Sequence, residues 1–203
     1  MKLDKTLDYA PEHLAHLDYI CGIDEVGRGC GAGPVVTAAV VLPKDFKSNL
    51  LRDSKKLSEK QKKEAYELIM TNALAISCKA GSVSDIDSIG INPTTYKAMH
   101  ECIVEVNNIL TIESILLDGI VWDKNTDVKV ELVPKGDDTY MSIAAAAIVA
   151  KVRRDEYMVK LHDLHPEYAW DSNKGYLTEA HINGLKTNGA TKYHRKEYIK
   201  KII

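Results

Sequence analysis

The stretch YICGIDEVGRGCGAGPVV, residues 19–36, reads as a buried strand that ends in two acidic residues and is followed by a glycine-rich turn. Side chains alternate between the faces of a strand, so Asp24 and Glu25 project inward together only where the strand ends or twists. Glycines in the turn allow the backbone to approach a ligand closely. Because strand ends of open α/β sheets face ligand-binding crevices, the stretch suggests a site for a metal ion and a phosphate. The alternative is a solvated acidic pair beside a flexible turn.

The composition fits one compact domain. The chain has 203 residues, of which 45% are hydrophobic and 28% charged, and its net charge is −2. Such a length is typical of a single domain. Because the net charge is close to zero, any site for a polyanion has to be a local basic patch. The four cysteines form no CxxC pair, and Cys21 and Cys102 lie in apolar surroundings, which favours core thiols over a disulfide framework.

Targeting signals and membrane segments are not apparent in the sequence. The N-terminus lacks the apolar stretch of a signal peptide. No run approaches the roughly 18 apolar residues that indicate a membrane span. We therefore expect a soluble protein in the reducing cytoplasm, without contact to a membrane. We also expect a monomer.

The predicted elements are of the mixed α/β class. Strands are expected over about 19–26, 35–42, 73–80, 114–118 and 128–133, with the first two paired like a hairpin. A capping box of Ser58 and Gln61 predicts a helix to about residue 72. Asn92 and Pro93 read as the N-cap and first residue of a helix to about 107. Further helices are predicted over about 141–162 and, with Thr178 as the cap, 179–186, and the first 17 residues suggest a short helix.

Two further acids complete a possible cluster. Asp118 follows the apolar strand 114–117, and Asp137 lies in a turn before the long helix. With Asp24 and Glu25 these acids could meet at one edge of the sheet. Carboxylates without His or Cys partners suit Mg²⁺ or Mn²⁺ rather than Zn²⁺. For Asp137 and Asp138 the alternative is helix capping, since acids favour helix N-termini.

An ordered set of motifs resembles ribonuclease HII over about residues 19–198. The matches, with x for an unspecified residue, are GIDExGRG at 22–29, AGPVV at 32–36, DSKKL at 53–57, DG at 118–119, KGD at 135–137, IAAA at 143–146, AKVxRD at 150–155, KGY at 174–176 and HR at 194–195. The resemblance implies a ribonuclease H-like fold, a central mixed β-sheet flanked by helices, with a C-terminal helical part. It implies a single domain, with a catalytic core over about 18–165 and a substrate-binding part over about 166–203.

The resemblance also implies an activity and its residues. The protein would be an endonuclease that cuts the RNA strand of RNA/DNA hybrids and incises DNA duplexes 5′ to embedded ribonucleotides. Asp24, Glu25, Asp118 and Asp137 would hold two Mn²⁺ or Mg²⁺ ions. The positions implied in substrate binding are Gly27, Arg28, Gly29, Lys55, Lys56, Lys174, Tyr176, His194 and Arg195. Among these, residues 27–29 would read the ribose 2′-hydroxyl, and Tyr176 would pack on the sugar beside the cut.

The departures from the family pattern leave the four acids untouched. Ala147 stands where serine is usual, Asn173 where histidine is usual, Leu177 in place of glycine, and Ile120 in place of asparagine. Ribonuclease HIII resembles the same core but carries an added N-terminal domain, for which the 17 residues before the first strand are too few. The C-terminal tail shows no convincing peptide for binding a replication clamp.

Some alternatives remain open. The basic residues near the C-terminus could form an ordinary solvated face. Arg154 and Asp155 could pair with each other. The seven histidines show no metal spacing and are expected to be surface or hydrogen-bonding residues. Two other functions compete with the nuclease, a metal-dependent phosphohydrolase acting on a small nucleotide and a non-catalytic binder of hybrid duplexes.

Overall fold

A five-stranded mixed sheet forms the centre of the protein. The structure is a computed structural model that describes residues 6–52, 57–119, 121–122 and 125–203. The strands are β1 (Ile20–Val26), β2 (Val35–Val41), β3 (Ala75–Gly81), β4 (Ser114–Asp118) and β5 (Val130–Val133), in the order β3-β2-β1-β4-β5. β2 runs antiparallel to β1 and β3, whereas β4 is parallel to β1 and β5. The predicted strands are confirmed, as is the hairpin-like pairing of the first two.

Seven α-helices are found among the described residues. They are α1 (Glu59–Asn72), α2 (Val83–Ile89), α3 (Ile91–Ile109), α4 (Met141–Leu164), α5 (Trp170–Asn173), α6 (Glu179–Asn188) and α7 (Lys196–Ile199). The capping box of Ser58 and Gln61 opens α1 as predicted. Thr178 caps the start of α6, and Gly189 is the C-cap that follows its last residue. The only regular element near the N-terminus is the 3₁₀ helix Glu12–Leu14, within the described residues.

The predicted start of the second long helix is wrong. α3 begins at Ile91, and its N-cap is Gly90, which has a φ of 88°. The cause is the additional helix α2, which ends at the same glycine, so that this left-handed residue turns the chain from one helix into the next. Pro93 therefore lies inside the first turn, where its missing N–H costs nothing, and Asn92 is not the cap.

Helices cover both faces of the sheet. α1 and α4 enclose a core with β2 on one face. On the other face α3 packs against β2 and β3, in a cluster that also contains residues of β1 and β4. α4 approaches β1 closely, because a Cβ atom on Gly22 would lie 2.1 Å from the carbonyl carbon of Ser142. The alanine-rich start of α4 is fully buried, which confirms its predicted packing on the sheet.

The C-terminal segment shares a buried cluster with the rest of the protein. Tyr168, Trp170, Leu185 and Ile199 pack with Ala32 of the turn after β1 and with Met158 of α4. All four cysteines are free, and those at 21, 30 and 102 are buried, as expected of core thiols. No helix in the described part of the chain combines the length and apolar character needed to cross a membrane.

Candidate active site

Asp24 of β1 lies beside Asp118, the last residue of β4. The parallel pairing of these strands runs to Ile23 opposite Leu117, and the next residue on each strand is Asp24 and Asp118. Asp24 is only 7% exposed, and its Oδ1 accepts a hydrogen bond of 2.6 Å from the backbone N–H of Glu25. The register of the sheet therefore brings two acids that are far apart in sequence to one position.

Asp137 reaches the same region through the 3₁₀ helix Gly136–Asp138. The backbone N–H of Gly136 donates to Asp118 Oδ1 at 2.9 Å, which attaches this turn to the end of β4. Asp137 is buried, and its charge acts on Asp24. The capping alternative is wrong for α4, whose N-cap is Tyr140 and whose start has no side-chain cap.

Glu25 is held by a neighbouring arginine. Arg28 Nη1 donates to Glu25 Oε1 at 3.3 Å, and its second terminal nitrogen donates to the side-chain oxygen of Asn92 at the start of α3. Burial raises the pKa of Glu25, and the charge of Arg28 partly opposes that rise. The sequence did not indicate the contact between Arg28 and Asn92, because an asparagine before proline is typical of a helix N-cap.

The electrostatics of the site favour a cation. Burial, followed by the charges of Glu25 and Asp118, raises the pKa of Asp24 well above its usual range. Among the residues that the structure describes, no three His, Cys, Asp or Glu side chains already stand in the arrangement of a metal site. The donor set nevertheless fits a hard ion, because carboxylates that disfavour one another's charge gain from a divalent cation between them.

The turn after β1 contacts the segment that carries Tyr176. We call residues 27–34 the glycine loop. The backbone N–H groups of Gly31 and Ala32 donate to Gly175 O at 2.9 and 3.3 Å. A Cβ atom on Gly175 would lie 2.5 Å from Ala32 O, so only glycine permits this approach. Tyr176, 47% exposed, and half-buried Lys174 are consequently held beside the glycine loop.

Three basic side chains do not have the predicted contacts. The sequence predicts that the side chains of His194 and Arg195 line a duplex, but these side chains are 2% and 0% exposed. His194 bonds to His181, and Arg195 bonds to carbonyls of the glycine loop, so neither side chain is available to a duplex. The predicted pair of Arg154 and Asp155 is also wrong, since Asp155 pairs with Lys151 at 2.9 Å and Arg154 is buried.

The departures from the family pattern are accommodated locally. Asn173 donates to Tyr168 O at 2.7 Å and accepts from the N–H of Gly175 at 2.8 Å, so it anchors the turn that leads to Tyr176. Leu177 packs against Gly31, and Ala147 is buried on α4. Lys55, Lys56 and Ile120 lie outside the described residues.

Comparisons with known proteins agree on one family. The family model described as Ribonuclease HII matches residues 21–201. Ribonuclease HII of Bacteroides thetaiotaomicron is 45% identical over 177 residues, covering 87% of this chain and 88% of the relative. That of Ligilactobacillus salivarius is 42% identical, covering 92% of this chain and 72% of the relative.

Solved structures show the same fold. Ribonuclease H2 of Pyrococcus horikoshii superposes with a TM-score of 0.74 at 23% identity, covering 91% of this chain and 96% of that one. Bst-RNase HIII, solved in complex with Mn²⁺, has a TM-score of 0.73 at 20% identity, covering 93% and 71%. RNase HII of Archaeoglobus fulgidus, solved in a complex with PCNA, has a TM-score of 0.70 at 26% identity, covering 87% and 93%.

Proposed function

Because the chain belongs to the ribonuclease HII family, we propose that Asp24, Glu25, Asp118 and Asp137 hold the divalent ions of its hydrolytic site. The chain is a ribonuclease H endonuclease, and its family cleaves the RNA of RNA/DNA hybrids and ribonucleotides in DNA with the help of metal ions. The observation that supports these four residues is the register that places Asp24 beside Asp118, with the turn of Asp137 bonded to the latter.

The carboxylates would have distinct tasks. Bound Mg²⁺ or Mn²⁺ would lower the pKa of an attacking water and neutralise charge on the leaving 3′-oxygen. Asp24, which is 7% exposed, would bind an ion from the buried side of the site, while the N–H of Gly136 keeps Asp118 in a fixed orientation. Glu25 would have to leave its contact with Arg28, or share it, in order to bind an ion. The products would be 3′-hydroxyl and 5′-phosphate ends.

The substrate would be read beside these acids. Gly27, Arg28 and Gly29 would contact the ribose 2′-hydroxyl, the group that distinguishes RNA from DNA. Tyr176 would pack on the next sugar, and Lys174 would contact a phosphate. Lys55 and Lys56 remain proposed phosphate ligands on the basis of sequence alone. RNA/DNA hybrids and DNA duplexes containing ribonucleotides are therefore the proposed partners of a protein that we expect to act as a cytoplasmic monomer.

The test is a cleavage assay with three substrates. The protein is incubated with Mg²⁺ or Mn²⁺ and a DNA duplex containing one ribonucleotide, a continuous RNA/DNA hybrid, or free nucleotides. Cleavage of both duplexes, with a nick 5′ to the single ribonucleotide, supports the proposal. Hydrolysis of free nucleotides alone would favour the phosphohydrolase, and tight duplex binding without cleavage would favour the non-catalytic binder.

A further inference from the structure

Two fully buried arginines hold the glycine loop from behind. Arg154 of α4 donates from Nε to Pro34 O at 2.9 Å, from Nη1 to Lys174 O at 2.7 Å and from Nη2 to Ala32 O at 3.1 Å. Arg195 donates from Nε to Gly33 O at 2.9 Å, from Nη1 to Arg28 O at 2.8 Å and from Nη2 to Gly27 O at 2.7 Å. We call this pair the arginine clamp.

The clamp fixes the direction of the loop backbone. Five carbonyl groups of residues 27–34 point to the two guanidinium groups. The N–H groups of Gly31, Ala32 and Gly33 donate to Gly175 O and Tyr193 O. Within the described part of the chain, the N–H groups of Arg28 and Gly29 have no acceptor. A Cβ atom on Gly29 would meet nothing within 4 Å, so this end of the loop is open to a ligand.

Burying these charges is costly in free energy. Both side chains are 0% exposed, and no carboxylate of the described residues forms an ion pair with either. Buried ionic groups often contribute less to stability than apolar side chains of similar volume, so stability alone is a poor reason for the pair. What two guanidinium groups provide is a rigid fork of donors that fixes several carbonyls at once, which lysine cannot reproduce.

We infer that Arg154 and Arg195 are positioning residues that set the selectivity for ribose. They turn the loop carbonyls inward, so that the N–H groups of Arg28 and Gly29 can bind the ribose 2′-hydroxyl of the substrate. The inference rests on the proposed function of the glycine loop. It assigns the discrimination between ribose and deoxyribose to two residues that touch no substrate.

The experiment compares binding rather than turnover. Fluorescence anisotropy gives Kd for a duplex with one ribonucleotide and for the same duplex made of DNA only, in Ca²⁺. The ratio of the two Kd values reports selectivity and does not depend on the folded fraction, since unfolded protein lowers both affinities equally. Wild-type protein is expected to prefer the ribonucleotide, and Arg195→Lys to reduce that preference roughly tenfold, about the value of one hydrogen bond.

Two further variants make the test decisive. Arg153→Lys alters an exposed arginine of α4, next to Arg154, and should keep the wild-type ratio. Tyr198→Phe leaves the buried charges intact and removes the hydroxyl that donates to Arg28 O at 3.0 Å. It should therefore reduce the ratio of the two Kd values, but by less than Arg195→Lys does. The inference is overturned if Arg195→Lys keeps the wild-type ratio. A wild-type protein that cleaves neither duplex would instead contradict the proposed function.

Discussion

The environment of Asp24 strongly disfavours its charge. Its side chain is almost completely buried next to other carboxylates, which raises its pKa well above the usual range. Asp24→Asn should therefore retain or increase the free energy of unfolding of the metal-free protein, because a repelled charge is removed. Cleavage should fall roughly 100-fold or more, since loss of a metal ligand affects both nucleophile and leaving group.

The matched control for this substitution is Asp138→Asn. Asp138 is exposed and adjacent to Asp137, and it lies outside the proposed ligand set. Urea unfolding gives the stability, and initial rates on the single-ribonucleotide duplex give the activity. Asp24→Asn protein that is folded and cleaves at near the wild-type rate would contradict the metal-ligand assignment.

Tyr176 presents an exposed ring beside the glycine loop. If this ring packs on the sugar 3′ to the cut, a deoxyribose there should be preferred, because a 2′-hydroxyl would crowd the ring. Tyr176→Ala should lower cleavage at a single embedded ribonucleotide more than cleavage within a long hybrid. By analogy with base–aromatic stacking of ~1–3 kcal/mol, we expect a loss of about one to two decades in rate.

Initial rates on both substrates at one salt concentration check this expectation, since phosphate contacts make affinity salt-dependent. Tyr176→Phe retains the ring and should keep the wild-type ratio of the two rates. An unchanged ratio in Tyr176→Ala would show that this residue does not sense the junction.

Individual residues differ in how far the sequence predicts them. The acids at 24 and 118 could be located because each follows an apolar strand. Arg195 could not be interpreted correctly, because the run His194-Arg195-Lys196 reads as a basic surface segment. Its hydrogen-bond acceptor at Gly27 lies 168 residues away, and nothing local indicates that a charged side chain will be buried against backbone carbonyls.

At the scale of elements, Gly22 and Gly29 belong to the same motif, but Gly22 allows a strand and a helix to pack closely, whereas Gly29 borders open space. A Cβ atom on Gly22 would meet the backbone of α4 at 2.1 Å, whereas one on Gly29 would meet nothing within 4 Å. Gly22→Ala should therefore lower the free energy of unfolding by about 1–3 kcal/mol or more, because strand and helix have to separate. Gly29→Val should leave stability close to wild type but reduce cleavage by blocking the approach of the substrate.

Urea denaturation followed by circular dichroism, together with cleavage rates, separates the two effects. The interpretation of these glycines is contradicted if Gly29→Val unfolds as easily as Gly22→Ala, or if it cleaves both duplexes at the wild-type rate.

The contact between α6 and the segment before α7 should depend on pH. His194 is buried and bonds to His181 of α6 at 3.0 Å, and burial lowers the pKa of His194 to about 4. The unfolded chain takes up this proton near pH 6.5, whereas the folded protein does so only near pH 4. The contribution of neutral His194 to the free energy of unfolding is thus complete above pH 6.5. It is lost as the pH falls from 6.5 towards 4, and the loss is at most about 3 kcal/mol.

Melting temperatures measured between pH 7 and 4.5 check this dependence. His194→Gln should be less stable at neutral pH but should show a flatter decline on acidification. His16→Gln changes an exposed histidine and should decline like the wild type. Parallel declines in all three proteins would refute the role of His194.

Across the whole molecule, local patterns predicted more than long-range contacts did. The capping box at Ser58, the apolar run of β1 and the alanine-rich start of α4 each depend on neighbouring residues, and all three are found in the structure. The helix α2 was not anticipated, and the start of α3 was misplaced, because Gly90 joins two helices without a loop between them. The C-terminal segment could be assigned as helical, but its attachment to the glycine loop follows only from tertiary hydrogen bonds.

The stability of the whole molecule should depend on divalent ions in the same way as its activity. Repulsion among the buried acids opposes the metal-free fold, and a bound ion removes it. Mg²⁺ or Mn²⁺ should raise the melting temperature of the wild type, and an ion at 100 times its Kd adds about 2.7 kcal/mol. Asp24→Asn should gain much less. Chelator should abolish cleavage, Mg²⁺ or Mn²⁺ should restore it, and Ca²⁺ should support duplex binding but little turnover, because its looser coordination orients the attacking water poorly.

Calorimetric melting and cleavage assays over the same ion concentrations test both parts of this prediction together. If activity and melting temperature rise over the same range of Mn²⁺, one site accounts for both. Full cleavage in excess chelator would contradict the two-ion site. Equal stabilisation of the wild type and Asp24→Asn would place the ions that stabilise the protein away from the four acids, even if activity still required a metal.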